Sequence, residues 1–101
     1  MVRHIVSWNF RPEVTEEKKK ELYAYFAEAF PALVGKIPGV LHVEIATPPL
    51  ASSTKDMCLY VEMEKPEDIP VYANHPEHLK VAQVVRANFQ DRCATDLVAV
   101  D

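Results

Sequence analysis

The sequence predicts an α+β protomer in which one antiparallel four-stranded sheet carries two helices on one face. Three observations predict it. Four segments alternate apolar and polar residues with period two, two segments repeat apolar residues at helical spacing, and they follow one another as β-α-β-β-α-β. Within 101 residues that order is the split βαβ, ferredoxin-like pattern, read as a single domain over residues 1–101.

Val2, His4, Val6, Trp8 and Phe10 alternate with Arg3, Ile5, Ser7 and Asn9 and form the first strand. Arg11-Pro12-Glu13-Val14 breaks the pattern. Thr15 then caps a helix whose first turn carries Glu16 and Glu17, the charge that the positive end of a helix dipole favours. Leu22, Phe26, Ala29 and Leu33 mark its buried stripe. Pro31 would remove an amide hydrogen bond inside that stripe, so a bend or a restart is expected there, before Gly35 ends the element. Pro38-Gly39 is a turn signal, and Leu41, Val43 and Ile45 mark the inner face of the second strand. The segment 47–55, with two prolines and two serines, connects to a third strand whose inner face is Met57, Leu59, Val61 and Met63. Pro66, Pro70 and Pro76 cut the next region into short helical pieces. The longest runs from Pro76 to about Ala87, with Leu79, Ala82 and Val85 as its stripe. Cys93, Thr95, Leu97 and Ala99 mark the inner face of the last strand.

Composition narrows the function classes. Eleven Lys+Arg against fifteen Asp+Glu give a net charge of −4, which speaks against nucleic acid and membrane surfaces as partners. The longest unbroken apolar run, Leu22 to Ala27, falls far short of the roughly 18 residues that span a bilayer, and the chain does not open on a cationic-then-apolar leader; a cytoplasmic protein is expected. Only two glycines are present, so the glycine-rich phosphate loops of ATP and dinucleotide sites are missing and no cofactor is expected. Cys58 and Cys93 are too few and too far apart for a disulfide framework or a zinc site. They should be buried, free thiols on strands separated by the first strand.

The sheet face turned away from the helices should present Ile5, Ser7, Val40, His42, Ala46, Cys58, Tyr60, Ala94, Val98 and Val100. That is too apolar for a wetted face. Both helices are committed to the other side, so the same face of a second copy is the simplest cover, and a homodimer is expected, with His42 an interface group.

One segment stands out for chemistry. Tyr72-Ala73-Asn74-His75-Pro76-Glu77-His78 holds a tyrosine and two histidines around a proline that breaks the helix. A neutral imidazole can take a proton near neutral pH and a phenol can donate to a developing oxyanion, a pairing suited to enolisation beside a carbonyl. The bland reading stands beside it: His75 caps the helix that follows and His78 is half exposed. His4 lies among apolar neighbours on the inner face, as a site group or as a core histidine that needs a partner. His4, His75 and His78 have no carboxylate clearly placed to complete a metal site, and no metal is expected.

Arg3-His4-Ile5-Val6, Val34-Gly35-Lys36-Ile37-Pro38-Gly39-Val40 and Tyr72-x-x-His75-Pro76-x-His78, in this order and spacing, resemble the stress-responsive A/B barrel family across nearly the whole chain. The resemblance implies a ferredoxin-like protomer and a homodimer whose sheets close a dimeric α+β barrel. Plant polyketide cyclases of the olivetolic acid cyclase type belong to this family and close a linear polyketide by aldol condensation. Their catalytic histidine and tyrosine match His78 and Tyr72, and their first-strand histidine matches His4. A helix-one tyrosine is replaced by Phe26 and a strand-three histidine by Met57, which implies a less polar pocket. The resemblance therefore implies His78 and Tyr72 as catalytic, with His4, Phe26, Leu59 and His75 binding a small apolar carbonyl-bearing molecule. A stress-associated dimer without turnover is the alternative that the sequence leaves open.

Overall fold

A computed structural model describes residues 1–46 and 48–99. The elements are β1 (Val2–Phe10), α1 (Glu16–Ala29), a 3-10 turn (Pro31–Leu33), β2 (Val40–Ala46), β3 (Met57–Met63), α2 (Asp68–Asn74), α3 (Pro76–Asn88) and β4 (Phe89–Val98). The strands form one antiparallel sheet in the order β2-β3-β1-β4, the ferredoxin-like arrangement. No helix is long and apolar enough to cross a membrane among the described residues.

Local chemistry accounts for the helix boundaries. The Thr15 hydroxyl accepts from the Lys18 amide at 3.2 Å and opens α1. Pro31 is resolved as a restart: α1 ends at Ala29, and Pro31 occupies the first position of the 3-10 turn, where a missing amide costs no helical bond. Pro76 does the same between α2 and α3, so the second helical segment is two helices rather than one.

One core fills the space between sheet and helices, with Phe89 stacked on Phe10 at 4.4 Å and edge-on to Phe26 at 5.7 Å. Leu22, Phe26, Phe30 and Leu33 enter it from α1 and the turn, Val81 and Val85 from α3. The α3 stripe differs from expectation: Val81 is buried in the core, whereas Leu79 is exposed and, with Ala82 and Val85, borders a cavity.

Two strands also depart from simple alternation. The register of β2 shifts between Val40 and His42, so Val40 and Val43 are both buried and Leu41 is exposed, the reverse of the expected placement of Val40 and Leu41. In β4, Ala94, Asp96 and Val98 pair with Val6, His4 and Val2 and share their helix-facing side. Cys93, Thr95 and Leu97 pair with Ser7, Ile5 and Arg3 on the outer side. The cause is a shift opposite Ser7–Asn9, where β4 contains one residue more than β1. Val100 lies outside the described residues. Ser7 pairs with both Cys58 and Cys93, so β1 separates the two cysteines, and both are free thiols; neither is buried as expected, because both lie on the outer face, Cys58 half-buried and Cys93 exposed.

Candidate functional site

Between α2, α3 and the sheet lies a cavity of about 460 Å³. Val6, Trp8, Phe30, Leu59 and Val85 give it apolar walls; His4, Tyr72, His78, Arg86, Arg92 and Asp96 give it polar groups. Tyr72 stands between two histidines, with ring centroids 4.2 Å from His78 and 5.8 Å from His4.

The break at Pro76 sets this arrangement. In a continuous helix the Glu77 amide would bond to the Ala73 carbonyl. Here the Glu77 amide donates to His75 Nδ1 at 3.1 Å, which leaves the Ala73 oxygen to accept from His78 Nδ1 at 3.0 Å. A carbonyl oxygen can only accept, so the His78 proton is on Nδ1, and in the neutral ring the Nε2 lone pair is the basic position. The pKa of His78 lies below the usual 6.5. Burial is the main cause, with the nearby His4, Arg86 and Arg92 acting in the same direction and the Ala73 bond opposing them. His78 is accordingly neutral at pH 7.

Tyr72 is buried, and burial holds its phenol protonated well above the ordinary pKa of 10. Its hydroxyl is itself buried and without a hydrogen-bond partner among the described residues. Such an orphan donor costs about 1–3 kcal/mol unless something accepts from it. His4 is also buried, and its Nδ1 contacts the Asp96 carboxylate. A carboxylate only accepts, so this contact orients the ring as a donor on that side.

The structure brings His78, Tyr72, His4 and Leu59 to one cavity. Phe26 and His75 are not among its lining residues. Phe26 is sealed in the core, 5.4 Å from Phe30; Phe30, one helical turn further on with its amide bonded to the Phe26 carbonyl, forms the wall instead. His75 is the cap of α3, the bland reading that the sequence left open. Met57, fully buried, does not border the cavity either. Sequence reasoning missed Asp96, Arg86 and Arg92. Asp96 and Arg92 were hidden by the register shift in β4: counted by alternation from the core-facing Phe89, both would fall on the outer face. No cluster of three or more His, Cys, Asp or Glu suited to a metal ion occurs among the described residues.

The sequence model of the Stress Responsive A/B Barrel Domain family matches residues 2–99. No curated protein matches the chain. Among solved structures, a dimeric protein of ferredoxin-like fold from Bacteroides fragilis is 30% identical, with a TM-score of 0.87 over 95% of this chain and 93% of that one. A family member from Mesorhizobium loti is 17% identical, with a TM-score of 0.71 over 99% of this chain and 97% of its own. A hydroxynitrile lyase from Passiflora edulis, 12% identical, aligns with a TM-score of 0.72 over 99% of this chain and 94% of its own, a likeness of fold.

Proposed function

The chain belongs to the stress-responsive A/B barrel domain family, and from that premise we propose a homodimer that binds a small apolar, carbonyl-bearing molecule, with polyketide-cyclase-like acid–base activity through His78 and Tyr72. The observation that carries the reading is the 4.2 Å contact of the two rings on the cavity wall, with His78 tied at Nδ1 and its Nε2 basic. Dimeric relatives of this fold and a half-buried outer sheet face centred on Tyr60 support the dimer. Two unpaired cysteines suit the reducing cytoplasm.

In the proposed reaction His78 Nε2 takes a proton from the carbon beside a carbonyl, and the electron pair left behind becomes an enolate whose oxygen accepts from the Tyr72 hydroxyl. The enolate carbon attacks a second carbonyl of the same chain, forming the ring bond, and the imidazolium returns its proton to the new alkoxide. General-base and oxyanion contributions of this kind are each worth about 10²–10⁴-fold. The test is turnover of a linear poly-β-ketone. His78→Ala should abolish it while leaving the melting curve nearly intact, and a wild type without turnover across a panel of such ketones removes the enzymatic reading for that class.

One observation favours the alternative, a stress-associated dimer without turnover. The Tyr72 hydroxyl is sealed from solvent, so a ligand reaches it only if the side chains around it shift. Ligand binding without turnover, undiminished in His78→Ala, is the outcome that selects this reading.

A further inference from the structure

Arg92 faces the cavity because of an irregularity in the backbone. Gln90 pairs with Asn9 and Cys93 with Ser7, so Asp91 and Arg92 together oppose Trp8. Asp91 has φ +56°, in the left-handed region that Asp enters more readily than most side chains. Its conformation is held on both sides: Asn9 Nδ2 donates to its carboxylate at 3.3 Å and Lys55 Nζ to its carbonyl at 3.1 Å. The extra residue inverts the alternation, so that Phe89 and Arg92, three residues apart, both face the helices. A regular strand would send Arg92 to the outer face. Bulges of this kind re-aim a side chain, and the one re-aimed here is a guanidinium.

Arg86 joins it from the last turn of α3. Its carbonyl accepts from the Arg11 guanidinium at 3.0 Å, which fixes the end of the helix. Among the described residues, neither the Arg86 nor the Arg92 guanidinium forms an ion pair. The one acidic group on the same walls, Asp96, is engaged by His4 and lies four residues along β4, about 13 Å from Arg92 at the usual strand rise. One end of an apolar cavity thus carries two uncompensated cations, and the other carries a buried phenol with no acceptor.

We propose that the molecule bound in this cavity is an acid of medium chain length, its carboxylate held by Arg92 and Arg86 and its apolar body running past Trp8 and Leu59 toward Tyr72. This rests on the cavity reading above and is independent of turnover. The planar fork of a guanidinium matches the two oxygens of a carboxylate. Arg86 and His78 are eight residues apart on one helix, about 12 Å, which sets the length of chain that reaches from one end to the other. The charges of both arginines also help hold His78 neutral, as groups facing one shared space would.

The experiment compares decanoate with decanol by calorimetry on the full chain. Decanoate should bind about tenfold more tightly, the order expected of charge-assisted hydrogen bonds. Arg92→Met should cut that preference, Arg86→Met with Arg92→Met should remove it, Arg92→Lys should restore part of it, and decanol should bind all of these alike. Equal affinity for both probes in the wild type overturns the acid inference and leaves the cavity reading standing. A preference that survives the double substitution, or that disappears in Tyr72→Phe instead, overturns it as well. Binding of neither probe overturns both.

Discussion

Gly39 and Asp68 touch where the loop before β2 meets the start of α2: a Cβ added at Gly39 would lie 2.6 Å from both carboxylate oxygens of Asp68. Asp68 is buried, and its carboxylate accepts from the Lys65 amide at 3.1 Å, so it cannot easily withdraw. Gly39 also has φ +86°, open to glycine at little cost. Gly39→Ala therefore combines a backbone penalty with a collision and should destabilise the protein by about 2–4 kcal/mol. Gly35 has nearly the same φ, +87°, with nothing within 4 Å of its added Cβ. Gly35→Ala should cost only about 1 kcal/mol. Urea unfolding of the two variants measures the difference, and equal losses would show that the carboxylate plays no part.

His75 should matter to stability and to the geometry of His78 together. Its ring takes the Glu77 amide, and the Ala73 carbonyl left over is the group that holds His78. His75→Ala removes the cap at a cost of about 1 kcal/mol, a fall in Tm of roughly 4–8 °C for a domain of this size. The freed Glu77 amide then competes for the Ala73 oxygen. His75→Asn, which can cap, should recover most of the stability, whereas a melting point unchanged in His75→Ala would remove the cap from the account.

The depressed pKa of His78 gives a pH dependence of definite sign. The folded state binds the His78 proton more weakly than the unfolded state does, so the unfolded chain holds more protons just below pH 6.5. Stability from keeping this ring neutral is fully present above about pH 6.5 and is lost as pH falls through the lower, folded value. Between pH 7 and pH 5 the wild type should lose more thermal stability than His78→Gln, which carries no titrating ring at that position. Parallel losses in the two proteins would contradict the shift.

Element order, the capping threonine, the restart at Pro31 and the His-Pro break were legible in the sequence because each rests on a local rule: alternation, helical spacing, a proline with no amide to give. Tyr72, His78 and His4 were legible as a group through the resemblance, and Leu59 through strand parity. What sequence could not supply are the two places where parity fails. The shift at Leu41 exchanges Val40 with Leu41, and the bulge at Asp91 turns Arg92 and Asp96 inward. A single added residue reverses every side chain beyond it, and nothing in a period-two pattern marks where it falls. Phe30 follows Phe26 by four residues and keeps helical backbone angles, so the two share the inner face of the helix; which of them reaches the cavity is decided by tertiary packing, which helical spacing alone does not distinguish.

Tyr60 tests the dimer without disturbing the cavity. It lies mid-sheet on the outer face, paired with Ile5 on one side and Glu44 on the other, and its hydroxyl donates to Glu62 at 2.8 Å. In the protomer it is half buried, so Tyr60→Glu should leave the fold intact by circular dichroism. In an interface of two such faces, the same substitution adds one carboxylate from each copy beside that copy's Glu44 and Glu62. An unpaired charge removed from water there costs several kcal/mol. Light scattering at micromolar concentration should give twice the chain mass of 11.5 kDa for the wild type and a single chain mass for the variant, with Tyr60→Phe still dimeric. A monomeric wild type would overturn the dimer. Because His78, Tyr72 and Arg92 lie across the sheet from Tyr60, the monomeric variant should still bind decanoate; loss of binding along with the dimer would mean that the partner copy completes the site.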